Sequence, residues 1–433
     1  MLRTLDLRGR DHSAAALLAA VPRATAARNE ALATAARLVE DVARDGEGAL
    51  RSQAEAFDKV AGHDIRVPQA HLEEALATLE PEIRQALERA IERVRQASAV
   101  QVPPPTTTTL GAGALVHQRW QPVRRVGLYV PGGKAVYPSS VVMNVVPAQA
   151  AGVEQIALAS PPQRDHGGRV HPIILAAAHL LGVTEVYAMG GAGAIGAFAW
   201  GVDSLGLDPV DVVTGPGNNF VAAAKRAVAG RVGTDSEAGA TEILIVADDT
   251  ADPRWVAADL ISQAEHDEQA SAVLVTASEA LATAVQTEVA ARAADTMHAA
   301  RIAVSLAGEQ SAIVLVDDLE QAIAFSNAYA PEHLELHLAD PMPERFVHAG
   351  AVFVGPYSPV SLGDYLAGSN HVLPTGGQAR YAAGLSAATF LRPQQVIEYD
   401  RQGLADVADA IVALADAEVL PAHGEAVEAR FEA

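Results

Sequence analysis

The chain has 433 residues, half of them apolar, with no cysteine and a formal net charge of −22. The missing cysteine excludes a disulfide framework, a thiolate metal site and a cysteine nucleophile, so any metal must be held by His, Asp, Glu or amide oxygen. The charge argues against nucleic acid and anionic membrane surfaces, which need cationic patches, and favours a small polar or cationic substrate.

One core rarely grows beyond about 250 to 300 residues, so two or more domains are expected. The segment Met1–Arg8 has charges among its apolar residues, and no stretch reaches about 18 uninterrupted apolar residues. A soluble, cytoplasmic protein is therefore expected. The first hundred residues carry apolar positions at helical spacing, through Leu72, Ala75, Leu76 and Leu79 and again through Ile83, Leu87, Ile91 and Val94. This helical opening is expected to end at Pro103-Pro104-Pro105 and the four threonines Thr106 to Thr109, read as a connection. Short β-branched runs then alternate with alanine-rich segments: Val126–Val130, Gln155–Ala159, Glu185–Met189, Asp211–Thr214, Ile243–Val246, Ala272–Val275 and Ala312–Val316. Alternation of this kind builds parallel sheets covered by helices, and seven units predict two α/β domains. After about Gln394 the chain returns to acidic, alanine-rich helix, expected to pack on a partner. No internal repeat of fixed period is visible.

Three glycine-rich turns follow candidate strands. Val130-Pro131-Gly132-Gly133-Lys134 leads to Ser139-Ser140 and a helix, and Thr214-Gly215-Pro216-Gly217-Asn218-Asn219 leads to Val221–Lys225. Both would offer bare backbone N–H groups to a phosphate. The third, Gly191-Ala192-Gly193-Ala194-Ile195-Gly196, is a literal G-x-G-x-x-G; in so glycine-rich a chain a plain tight turn is the competing reading.

A helix opening at Asp252-Pro253 puts Gln263 and His266 three residues apart on one face, with Asp259 close to it. Spacing alone equally describes a polar outer face. Glu332-His333 precedes the strand from Leu334; Asp364 lies in a Gly-Asp-Tyr turn and His423 follows Pro421. Each of these has an ordinary polar-turn reading when taken singly.

Taken together they resemble the histidinol dehydrogenase family. The resemblance rests on Arg125-Val-Gly-Leu-Tyr-Val-Pro-Gly-Gly133, Tyr137-Pro-Ser-Ser-Val-Val-Met-Asn144, Thr214-Gly-Pro-Gly-Asn218 and Asp259-Leu-Ile-Ser-Gln-Ala-Glu-His266. It continues through Ala330-Pro-Glu-His333, Gly363-Asp-Tyr365, Gly368-Ser-Asn-His-Val-Leu-Pro374 and Pro421-Ala-His423. The motifs run in family order from near Leu5 to Phe431. The resemblance implies NAD-linked four-electron oxidation of L-histidinol to L-histidine through histidinaldehyde, at the end of histidine biosynthesis. It implies one zinc ion per subunit on Gln263, His266, Asp364 and His423, an acid/base pair Glu332 and His333, and substrate contacts from Thr241, Gln263, His266, His333, Asp364, Glu418 and His423. Tyr129, Gly193 and Asn218 stand at positions that contact NAD. It also implies two Rossmann-like α/β domains of the aldehyde-dehydrogenase kind, and a homodimer in which a helical tail is exchanged so that His423 and Glu418 reach the other subunit's site. On this reading residues 1–30 form an arm, 31–126 with 240–375 the metal and substrate domain, 127–239 the NAD domain and 376–433 the dimerisation tail.

The chemistry is consistent with these residue types. Alcohol oxidation needs a base as the hydride leaves, and an imidazole, titrating at about 6.5, suits that task. Aldehyde oxidation without a cysteine requires water to add first, with Glu332 typed to activate it. Three departures from the family pattern stand out: Gly193 where glutamine is usual, Ala240 where proline is common with Thr241 in place of serine, and Lys134 beside the first glycine turn. Gly193 creates the G-x-G-x-x-G, which makes that fingerprint incidental. A related dehydrogenase of another polar alcohol, such as a sulfonated diol, and a catalytically silent relative are the alternatives.

Overall fold

The computed structural model describes residues 2–10, 13–23, 28–132, 136–236 and 239–432. The chain divides into two compact units, residues 1–101 with 124–390, and residues 102–123 with 391–433. Among the described residues no helix is long and apolar enough to cross a membrane.

The first unit opens with β1 (Arg3–Asp6), α1 (Ala14–Ala20), α2 (Arg28–Asp45), α3 (Glu47–Gln53), α4 (Gln69–Ala77) and α5 (Pro81–Ala99). The second unit takes the next two strands, β2 (Thr106–Gly111) and β3 (Ala114–Pro122). The first unit resumes with β4 (Arg125–Tyr129), α6 (Pro138–Ala151), β5 (Gln155–Ser160), α7 (Pro172–Leu180), β6 (Glu185–Ala188), α8 (Gly191–Trp200), β7 (Val212–Thr214), α9 (Asn219–Val228) and β8 (Gly233–Thr234). Its strands pair in parallel in the order β6-β5-β4-β7-β8. Chain direction across the sheet therefore reverses between β4 and β7, the crevice where open α/β sheets bind ligands at the carboxyl ends of their strands.

The same winding recurs. β9 (Glu242–Ala247), α10 (Pro253–Ala264), β10 (Ser271–Thr276), α11 (Glu279–Ala293), α12 (Ala299–Ala307), β11 (Ala312–Leu315), α13 (Leu319–Tyr329), β12 (His333–His337), β13 (Ala351–Val354) and α14 (Val360–Tyr365) follow. They give the parallel order β11-β10-β9-β12-β13, with β1 added beside β11 at the edge. Two parallel α/β sheets are thus present where two α/β domains were expected, both within the first unit, and their central strands are buried on both faces, which is why they read as unbroken apolar runs.

Three expectations about the connecting parts change. The helices over 28–99, assigned by sequence to the metal and substrate domain with 240–375, pack instead on the helices of the β6-β5-β4-β7-β8 sheet: α2 lies on α8 and α9, α4 on α7, and α5 on α6. Their apolar stripes match the alanine-rich faces of those helices, a complementarity that one-dimensional periodicity does not reveal. The segment read as a connection at Pro103–Thr109 enters β2, because the four threonines are strand formers with a hairpin partner in β3. Leu391–Tyr399 is a strand, β14, before the helical tail; it pairs antiparallel with β3, so the second unit begins at 391, not 376, and includes 102–123. Its remaining elements are α15 (Arg401–Ala417) and α16 (Pro421–Glu428), which pack on each other.

Candidate active site

The helices run back against their strands, so the C-terminal ends of α10 and α14 return to the amino ends of β9 and β12. Thr241 and Glu332 directly precede those two strands, and His333 opens β12. The turn into β12 is made by Ala330, held at φ +49 behind α13, a left-handed conformation costly for a residue with a Cβ. Arg23 supports that turn by donating to the Tyr329 and Ala330 carbonyls, while its Nε donates to Glu242 at 2.6 Å.

Glu332 is buried, and its Oε2 accepts from the Thr241 hydroxyl at 2.6 Å and the Glu242 N–H at 2.8 Å. Burial pushes its carboxyl up to about 7, against the opposing pull of His333 and of these two donors. His333 is buried beside it, with Nδ1 3.0 Å from the Glu242 carbonyl and 3.5 Å from Glu332 Oε2. A carbonyl only accepts, so Nδ1 carries the proton and Nε2 is left as the free base.

Gln263 extends this line, its amide Nε2 donating to Thr241 Oγ1 at 2.6 Å. Its Oε1 is buried without a hydrogen-bond partner. His266 Nε2 lies 3.9 Å from Asp364 Oδ2. Burial lowers the His266 pKa, with the Asp364 charge opposing, which favours the neutral imidazole that can ligate.

His371 was not singled out from the sequence, although it stands inside the Gly368–Pro374 motif. Its Nδ1 donates to the Asp364 carbonyl at 2.9 Å, and its Nε2 accepts from Ser140 Oγ at 3.1 Å. Pro147 explains why that segment is anchored there. Lacking an N–H inside α6, it frees the Met143 carbonyl, which accepts from Asn370 Nδ2 at 2.6 Å. The start of α6, beyond the carboxyl end of β4, therefore meets the amino-end site of the other sheet.

Around the β4/β7 crevice, Tyr129 is buried and its hydroxyl accepts from Gly191 N at 3.2 Å. The first turn of α8 has no side-chain cap. That of α9 differs from the bare phosphate cradle expected: Asn218 Oδ1 accepts from Phe220 N at 3.0 Å and Val221 N at 3.2 Å, leaving its amide nitrogen for a ligand. Gly215 has φ +118, and a Cβ there would lie 1.9 Å from the Tyr129 carbonyl oxygen. Gly193 faces the opening helices, where a Cβ would meet Gln53 Oε1 at 2.5 Å, so a larger residue there would require the Gln53 side chain to shift. Gly133, Lys134 and Ala238 lie outside the described residues.

Glu418, which ends α15, and His423, on α16, belong to the second unit and are exposed there. That unit also holds a cavity of about 860 Å³ between β3, β14 and the tail helices, lined by Val116, Ile397, Leu404, Arg401, Arg430 and Phe431 among others. None of the carried-over site residues lines it. In the first unit a separate buried group, Asp259, Glu335 and His337, has ligating atoms within 4.8 Å of one another and lies outside the expected metal set.

The family model described as histidinol dehydrogenase matches residues 21–431. A histidinol dehydrogenase of Leifsonia xyli subsp. xyli is 63% identical over 433 residues, covering 100% of this chain and 99% of that protein. One from Corynebacterium diphtheriae is 55% identical over 439 residues, covering 100% and 98%. The crystal structure of histidinol dehydrogenase from Elizabethkingia anophelis matches with a TM-score of 0.93 at 32% identity, covering 99% of this chain and 98% of that one.

Proposed function

The chain belongs to the histidinol dehydrogenase family and is an oxidoreductase; from that premise we propose that it oxidises L-histidinol through histidinaldehyde to L-histidine as a homodimer, using NAD and one zinc ion per subunit. The observation that carries this reading is the hydrogen-bonded line Gln263–Thr241–Glu332 beside His333, together with His371, which links Asp364 to Ser140 at the start of α6.

The donors fit zinc. A buried amide oxygen without a partner costs about 1 to 3 kcal/mol, and Gln263 Oε1 keeps that state three residues before His266, whose Nε2 lies 3.9 Å from Asp364 Oδ2. Gln263, His266 and Asp364 would hold the ion from one chain, and the exposed His423 is available to complete the set across a dimer, with Glu418 beside it for the substrate. Zinc, when bound, acts as a Lewis acid that orients the substrate. NAD, when bound at Tyr129, the α8 start and Asn218, takes the hydride.

The chain's own residues move the protons. His333 Nε2 takes the hydroxyl proton of histidinol as the carbinol hydrogen departs. For the second oxidation Glu332 takes a proton from water as it adds to the aldehyde, and His333, its first proton released to solvent, then accepts a proton from the gem-diol as the gem-diol's C–H hydrogen departs as a second hydride. Glu332 works only when ionised, so oxidation of supplied histidinaldehyde should rise with pH through about 7. The Thr241 hydroxyl draws that carboxyl downward. Thr241→Val should therefore move the inflection to higher pH and slow the reaction at pH 7, while Thr241→Ser leaves it in place. An unmoved inflection in the valine variant would show that another group titrates.

The decisive experiment counts NADH formed per L-histidinol consumed, with excess NAD, by zinc-loaded and by chelator-treated protein. Two NADH per histidinol, lost with the chelator, is the expected result. Turnover only of another alcohol, such as a sulfonated diol, would reassign the substrate; none with any alcohol would leave a silent binding protein.

A further inference from the structure

Glu335 and His337 lie on the same face of β12 as His333, and Asp259 lies one helical turn before Gln263 on α10. All three are buried, Glu335 completely. Glu335 Oε1 accepts the Val360 peptide N–H at 2.6 Å, the first residue of α14, the helix of Asp364. Glu335 Oε2 lies 3.2 Å from His337 Nε2, which is 3.9 Å from Asp259 Oδ2. His337 Nδ1 is buried without a partner, so Nε2 carries the ring proton toward the carboxylates. The strands beside Glu335 contribute Ile245 and Phe353 in register, so the charge facing Asp259 comes from Glu335.

Carboxyl oxygens of Asp259 and Glu335 lie within 4.8 Å of each other, and two buried carboxyl groups this close favour a proton held between them. Burial and then the Glu335 charge hold the Asp259 carboxyl up at about 8, so the proton is present at neutral pH. With that proton, the His337 N–H and the Val360 N–H, the cluster has its donors without an ion.

We propose that Glu335 is a positioning residue for the active site, its carboxylate tying the helix of Asp364 to the strand of His333 and, through His337 and Asp259, to the helix that carries Gln263. The proposal rests on the metal-ligand reading above. Outer partners of this kind set ligand geometry, and their loss lowers metal affinity or activity about 10- to 100-fold.

The test compares zinc affinity, by chelator competition, and kcat and KM for L-histidinol in Glu335→Gln, Glu335→Leu, Val360→Pro and Val360→Ala. Glutamine keeps the acceptor for Val360 and donates to Asp259, so that variant should stay near wild type. Leucine should weaken zinc binding about 10- to 100-fold and lower kcat. Pro359 is already extended at φ −68, ψ 155, so the backbone admits a proline at 360; Val360→Pro deletes the N–H and sets the ring Cδ toward Glu335 Oε1, so it should mimic leucine, whereas Val360→Ala keeps the N–H and should not. If Glu335→Leu fails to fold, Val360→Pro against Val360→Ala decides. His266→Ala separates the two readings. If it loses zinc while Glu335→Leu and Val360→Pro bind zinc and turn over as wild type, the positioning proposal alone falls. If His266→Ala keeps zinc and Glu335→Leu loses it, the ion belongs to Asp259, Glu335 and His337, and both readings fall.

Discussion

His333→Asn should lower L-histidinol turnover by about 10²- to 10⁴-fold, the range general-base catalysis contributes, in a protein that still folds. Asparagine keeps an amide N–H that can reach the Glu242 carbonyl, now 3.0 Å from Nδ1, while the basic Nε2 disappears. Glu332→Gln should instead fall mainly on supplied histidinaldehyde, because its carboxylate serves the added water. The measurement is steady-state NADH formation with each substrate in each variant. Equal losses on both substrates in Glu332→Gln would sink this division of labour.

Lys225→Met should cost about 3 to 5 kcal/mol of stability, the penalty for breaking a buried ion pair from one side. Lys225 and Asp235 are only 2% and 3% exposed. Lys225 Nζ donates to Asp235 Oδ1 and to the Gly215 carbonyl, and Asp235 Oδ2 accepts from Gly215 N at 2.8 Å. The pair therefore clamps the turn that carries Asn218, and KM for NAD should rise with the stability loss. Denaturant unfolding with NAD titration checks both. In Lys225→Met with Asp235→Asn much of the stability should return, because the stranded charge is gone. A loss below about 1 kcal/mol in the single variant would mean that water reaches the pair.

Several elements were legible because their signals are local. Asp252 caps α10 through Arg254 N with Pro253 behind it, as its sequence announces. The runs from Val126 to Val316 are strands where their β-branched residues said so. Other features were not legible because both partners must be known. The four threonines became a strand only against β3, and Val396 and Ile397 became one only against His117 and Val116. The two sheets share one winding order without any sequence repeat, since topology constrains connection and handedness rather than residue identity.

Composition and motif order by themselves determined the class of chemistry, the absence of thiol ligands, the two α/β sheets and the family, because residue type and short-range spacing are properties of one dimension. Tertiary structure alone decided that Thr241 links Gln263 to Glu332, that His371 meets Ser140, that Gly193 faces Gln53, and that Glu335 reaches Val360. Those contacts join residues between 22 and 231 positions apart, and their geometry depends on burial and on which strand ends meet.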